Sequence, residues 1–210
     1  MLHDCDAEII PIEPDAGNAA AGIASTIVMV CEAVSIPYRL FKYANRGTSA
    51  NDNSMRYLCV LTIAGSDSCG GAGVQADIKT MSALGVYAAS AITSVTVQNT
   101  LGVKAIQAIE PAIVAGQIKA VMDDVKPVAI KIGMVNDCAT IHAIADSLSS
   151  YSPSKLVVDP VMVSTSGSML MQRDALEVFC SELLPMATLL TPNIPEAEVL
   201  SKTEIHTVDD

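Results

Sequence analysis

Short apolar, β-rich runs alternate with helical stretches from residue 58 almost to the end of the chain. Strand–helix–strand repetition of this kind leads to a parallel sheet, because a helical crossover carries the chain back to the edge from which each strand starts. Residues 58–64 read as a buried strand, 72–84 as a helix closed by Gly85, and 88–97 as a second strand. A shorter strand is expected over 103–109. Pro111 opens a helix to about residue 125, 128–135 is a strand, and Asp137 caps a helix reaching about residue 148. A strand over 156–159 stops at Pro160, an amphipathic helix covers 173–184, a strand over 187–191 stops at Pro192, and a helix includes 196–200. The fold class expected is α/β, a three-layer sandwich with a mostly parallel central sheet. Ligands of such sheets bind beyond the carboxyl ends of the strands, so the polar residues there are the functional candidates.

Composition narrows the partners. Hydrophobic residues make up 50% and mean hydropathy is +0.42, spread along the chain. The longest apolar stretch, 19–31, is interrupted by Gly22, Ser25 and Thr26 and falls short of the ~20 residues of a membrane span. Asp4, Asp6, Glu8, Glu13 and Asp15 precede it with no Lys or Arg, which argues against a secretory signal. A net charge of −11 would repel a nucleic-acid backbone. The six cysteines form no CxxC pair and read as reduced thiols of a cytoplasmic protein. The three histidines lack metal-site spacing.

Residues 1–54 hold Pro11, Pro14 and Pro37 and end in the polar, linker-like run 45–54. They contain no motif. Two readings stand: a poorly ordered extension, or translation from upstream of a true start at Met55. Residues 55–210 form the domain.

The first strand leads into GSDSCGGAG, with four glycines between Gly65 and Gly73, a loop that lets backbone approach a ligand and offers N–H groups at a helix start. No Gly-Lys-Ser/Thr follows, so it is not a Walker A loop. Gly71–Ala76 fits G-x-G-x-x-A, but it comes late after the strand and no acid lies between Asp77 and Glu110, which argues against a dinucleotide fold. Gln98 and Asn99 can each donate and accept, as reading a flat heteroaromatic ring requires; satisfying turn backbone is the equal alternative. Met134 beside Gly133 suits either a soft pocket wall or the core. Lys131 lies within an apolar strand, and spacing gives it no role. Asp159 closes one strand, and Asn193 and Glu196 follow another; such carboxylates suit Mg²⁺ near phosphates, while helix-dipole stabilisation is the plain alternative for Glu196. Phosphoryl transfer uses all these features together.

The stretches LTIAGSDSCGGAGVQADIKTMSALGVYAASAITSVTVQNT, VKPVAIKIGMV, VVDPVMVSTSG and LLTPNIPEAEVL closely resemble the hydroxymethylpyrimidine/phosphomethylpyrimidine kinases of thiamine biosynthesis, in the ribokinase-like superfamily. The resemblance covers residues 55–210 and supports Met55 as the start. It implies ATP and Mg²⁺ as cofactors, phosphorylation of the hydroxymethylpyrimidine and then of its monophosphate, and a homodimer. Gln98, Asp77, Gly65, Ala72, Met134 and Val161 match pyrimidine-pocket residues. Asn193, Glu196 and Thr165 match the ATP-phosphate end, with Thr165 where many relatives carry Lys, and Asp159 and Glu196 match the magnesium network. The resemblance also implies a catalytic base and anion hole beyond Asp210. The domain is therefore expected to be incomplete at its C-terminus and the chain alone inactive or nearly so. A pyridoxal-type kinase and a non-catalytic pyrimidine-binding module are the alternatives.

Overall fold

The computed structural model describes residues 8–9, 58–163 and 170–207. Strand β2 (Cys59–Asp67) is buried from residue 59 through 65, because strands flank it on both edges and helices lie over both faces. The other strands are β1 (Glu8–Ile9), β3 (Tyr87–Asn99), β4 (Gly102–Ala108), β5 (Ala129–Ile132), β6 (Leu156–Val158) and β7 (Leu189–Leu190). They form one sheet in the order β1-β7-β6-β5-β2-β3-β4. Among the described strands only the β3–β4 pair is antiparallel; the expected mostly parallel sheet is what forms.

The helices are α1 (Gly73–Ala83), α2 (Pro111–Asp124), α3 (Cys138–Ser149), the short α4 (Ala175–Val178) and α5 (Ile194–Ser201). Side-chain alternation along the strands divides the core into two layers. Leu61, Ile63, Ile130, Ile132 and Leu156 pack with Ile118 of α2, Ile141 and Ile144 of α3, and Phe179. On the opposite face Val60, Ala129, Val157 and Leu189 pack with Met81 of α1. Thr62 and Lys131 are register partners, and the same alternation puts them on this second face, under α1.

The boundaries differ from expectation where tertiary pairing decides them. Strand β2 continues to Asp67 because Ser66 and Asp67 still pair with Val95 and Thr96 after a bulge. Strand β3 reaches Asn99 because β4 extends its ladder. Strand β5 stops at Ile132, short of residue 135. The helix expected over 173–184 changes pitch: α4 gives way to a π turn, Phe179–Leu183, and a 3₁₀ turn, Leu184–Met186. Pro185 lacks the N–H that an α ladder would need there. Glu8–Ile9, in the segment that carried no motif, form a two-residue parallel strand beside β7. No described helix is long and apolar enough to cross a membrane.

Two substitutions test this packing. Phe179 is fully buried, so Phe179→Ala should lower unfolding free energy by ~3–5 kcal/mol in urea titrations. Gly116 lies inside α2 and a Cβ there meets nothing within 4 Å, so Gly116→Ala should raise it by ~0.4–1 kcal/mol.

Candidate active site at the strand ends

The parallel strands deliver their carboxyl ends to one edge of the sheet. Gly133 N–H donates to the Ile63 carbonyl at 2.9 Å, Asp159 N–H to Ile132 at 2.8 Å, and Thr191 N–H to Val158 at 3.1 Å. The ends of β2, β5, β6 and β7 are thereby held side by side, and β3 ends at the same edge.

The glycine-rich loop is organised by an aspartate. Asp67 Oδ1 accepts from Cys69 N–H at 2.8 Å, and Oδ2 accepts from Gly71 and Ala72 N–H, each at 2.9 Å. The N–H groups of these three residues, which the sequence suggested might face a ligand, are therefore held within the loop. Ala72 caps α1 without a side-chain bond of its own, and Asp67 supplies the missing acceptor. Gly73 has φ +57°, and a Cβ there would lie 2.1 Å from the Gly65 carbonyl oxygen, so the loop needs glycine at that close approach. Gln75 clamps the other side: its Oε1 accepts from Asp67 N–H at 2.8 Å, and its Nε2 donates to Ser66 Oγ at 2.7 Å.

Gln98 is bolted to this loop. Ser68 Oγ donates to the Gln98 carbonyl at 2.8 Å and accepts from Gln98 N–H at 3.1 Å. Thr96 Oγ1 donates to Gln98 Oε1 at 3.1 Å, and the amide nitrogen of Gln98 has no hydrogen-bond partner among the described residues. Met134 adjoins Gly65, where a Cβ would meet Met134 Cε at 3.2 Å. The Met134 carbonyl is fixed by Thr93 Oγ1 at 2.8 Å. Ala72, in the loop after β2, and Val161, after β6, are each half-buried.

The charged residues form the floor and far side. Asp77 is fully buried; its Oδ2 accepts from Thr62 Oγ1 at 2.5 Å, and both its oxygens lie 3.2–3.3 Å from Lys131 Nζ. Lys131 Nζ is also 3.7 Å from Asp159 Oδ2. Burial pushes the Lys131 ammonium toward neutrality, but Asp77 and Asp159 outweigh it and raise its pKa. Asp159 is raised too, by burial first, against the lowering effect of Lys131.

Asn193 and Glu196 form a reciprocal capping box at the start of α5. Glu196 N–H donates to Asn193 Oδ1 at 2.9 Å, and Asn193 N–H donates to Glu196 Oε2 at 3.0 Å. Burial pushes the Glu196 carboxyl up to about 7, the Asp159 charge adds to this, and hydrogen bonds from Asn193 and Met162 oppose it. Asp159 and Glu196 are the acids at this end that could hold a divalent cation, with phosphate oxygens and water as its remaining ligands. Among the described residues no set of three or more His, Cys, Asp or Glu forms a protein-only metal cage. Thr165 lies outside the described residues.

Sequence reasoning singled out the strand-end positions but missed the internal partners Asp67, Ser68 and Thr62. An aspartate shortly before a glycine pair was an available signal for the loop. The pairing of Thr62 and Lys131 with Asp77 needed the register between β2 and β5.

A mostly parallel α/β sheet with a glycine loop, a strand-end amide and carboxylates along one edge is the arrangement of the ribokinase-like class of small-molecule kinases, and comparison with solved structures agrees. Phosphomethylpyrimidine kinase from Clostridium difficile 630 superposes with a TM-score of 0.69 at 51% identity, over 72% of this chain and 66% of that one. Pyridoxal kinase from Staphylococcus aureus, solved with AMP-PCP and pyridoxal, gives 0.63 at 31% identity, over 73% and 55%. The phosphomethylpyrimidine kinase family model matches residues 67–210, and the chain belongs to that family. A hydroxymethylpyrimidine/phosphomethylpyrimidine kinase of Rhizobium meliloti is 53% identical over 141 residues, 67% of this chain and 53% of its own length. A thiamine biosynthesis bifunctional protein of Geobacter sulfurreducens is 41% identical over 204 residues, 93% of this chain and 42% of its own. The latter alignment extends upstream of Met55. The chain spans about half the length of the curated relatives it matches.

The Glu196 shift has a pH signature. Its folded-state pKa lies above the ordinary 4.5, so its contribution favours folding fully below that value and is lost as pH rises through about 7. Glu196→Gln removes the ionisation. Urea titrations in metal-free buffer should show the variant gaining ~1–2 kcal/mol on the wild type between about pH 5 and about pH 8. A constant gap would contradict the buried-carboxyl assignment.

Proposed function

We propose that this strand-end edge binds 4-amino-5-hydroxymethyl-2-methylpyrimidine and its monophosphate for ATP-dependent phosphorylation in thiamine biosynthesis. The observation that carries this reading is Gln98. Its backbone is pinned at both N–H and C=O to Ser68 of the glycine loop, and its side-chain Oε1 accepts from Thr96 Oγ1, which together set an amide at the β2–β3 ends. A preset amide reads an aminopyrimidine edge without an ordering cost on binding.

Gly65, Ala72, Met134 and Val161 are assigned to the pyrimidine end, with Gly65 leaving room for Met134, whose thioether gives a soft wall. Asp77 supports the pocket from beneath, through Thr62 and Lys131. The ATP phosphates are assigned to the Asn193–Glu196 end, with Thr165 contributing from the segment after β6. Asp159 and Glu196 would hold Mg²⁺, which neutralises charge on the phosphates when bound. The chain's own part is to orient the hydroxymethyl group toward that end and to keep Asp159 and Glu196 in place. The exposed side chains of Val95, Val97, Leu101 and Ile106 around β3 and β4 supply an apolar surface for a proposed homodimer. Free thiols at Cys59, Cys69, Cys138 and Cys180 support a reducing, cytoplasmic setting.

The similarity to pyridoxal kinase motivates a second reading, with pyridoxal as the heterocyclic alcohol. Calorimetric titration separates the two. Hydroxymethylpyrimidine should bind the wild type, and Gln98→Ala should weaken it about tenfold or more while changing pyridoxal binding little. Pyridoxal binding with no pyrimidine binding would favour the second reading.

A further inference from the structure

Among the described residues Lys131 is the one buried basic side chain, and neither ring recognition nor phosphate binding uses it. Its side chain is 6% exposed, in the middle strand layer, and its ammonium serves two carboxylates unequally. Asp77, 0% exposed, approaches with both oxygens at 3.2–3.3 Å and is itself held by Thr62. Asp159, 22% exposed, approaches with one oxygen at 3.7 Å. The ammonium has little freedom to choose otherwise. A Cβ at Gly133 would sit 2.8 Å from its Nζ, so the backbone of that residue closes over it.

An ammonium and a divalent cation compete for the same carboxylate. If Lys131 paired fully with Asp159, a metal ion would have to break a buried ion pair before gaining that ligand, and breaking such pairs is costly. With two close contacts to Asp77, the lysine lends Asp159 only partial neutralisation and leaves that carboxylate mostly available.

We propose that Lys131 is a positioning residue, a built-in counter-cation held away from Asp159 by Asp77, and that the division of its ammonium between the two aspartates sets how tightly a divalent cation binds at Asp159 and Glu196. This rests on the reading of Asp159 and Glu196 as the cation end of the site, but not on which heterocycle binds at the other end. Asp77 lies on α1, directly after the glycine loop, and so acts on the cation without touching it.

The test is Mn²⁺ binding to the 210-residue chain, followed by loss of the free-ion EPR signal, with circular dichroism as the check on folding. In Asp77→Asn the ammonium has Asp159 as its remaining carboxylate, and Mn²⁺ affinity should fall about threefold or more. In Lys131→Met with Asp77→Asn the buried pair is removed as a unit, the competitor is gone, and affinity should rise about threefold or more above the wild type. A merely structural pair would shift unfolding and leave Mn²⁺ affinity equal in all three proteins. Equal affinities, or the reverse order, overturn the proposal. Should Asp77→Asn fail to fold, the charge-balanced double variant against the wild type still decides. Absence of Mn²⁺ binding by the wild type removes the cation site and this proposal with it, while pyrimidine binding is judged by its own calorimetry.

Discussion

A lysine side chain inside a parallel sheet costs several kcal/mol unless a carboxylate meets it there. Lys131 meets two, and that requirement fixes much of the molecule. Asp77 must face the sheet, so α1 lies over β2 and β5 with its polar residue inward. Thr62 must occupy the neighbouring register position to take the Asp77 oxygen. With α1 fixed, the loop preceding it has one route from β2, and Asp67 closes that route by accepting the N–H groups of Cys69, Gly71 and Ala72. The glycine loop is thus rigid because of charge buried beneath it as well as its own hydrogen bonds.

The two ends of the site differ in how they are built. The Gln98 end is made of backbone and neutral side chains locked to one another, Ser68 to Gln98 and Thr93 to Met134. The other end holds Asp159 and Glu196, and burial first, with the Asp159 charge adding to it, raises Glu196 to about 7. The proposed reading places a flat, uncharged heterocycle at the neutral end and a cation–phosphate group at the carboxylate end. The capping box shows that one pair of side chains can terminate a helix and still supply a carboxylate to this end: Glu196 uses Oε2 for Asn193 N–H, while the whole group stays near Asp159.

Most of the fold was legible in the alternation of apolar runs, because buried parallel strands need continuous Val, Ile and Leu while their crossovers follow helical periodicity. The chemistry-bearing strand ends followed from that alternation. What was not legible depended on pairing between distant segments. The extension of β2 through Asp67 came from its ladder with Val95 and Thr96, and the extension of β3 to Asn99 from β4. The pitch change after Val178 reflects Pro185 and packing of Phe179 that a smooth amphipathic pattern conceals. Asp77 could be placed on a helix from sequence, but its partners could not. Lys131 was visible as an anomaly within an apolar strand, and only the register opposite Thr62 shows how it meets Asp77.

The central claim is that a hydroxymethylpyrimidine sits where β2, β3 and β5 end, read by Gln98. Amide chemical-shift mapping of the ¹⁵N-labelled chain during titration with that pyrimidine tests this directly. The expected result is a contiguous set of saturable shifts at Gly65, Ser68, Gln98 and Met134, with the amides of α3 unchanged. Saturable shifts confined to another surface, with Gln98 and Met134 unaffected, would contradict it.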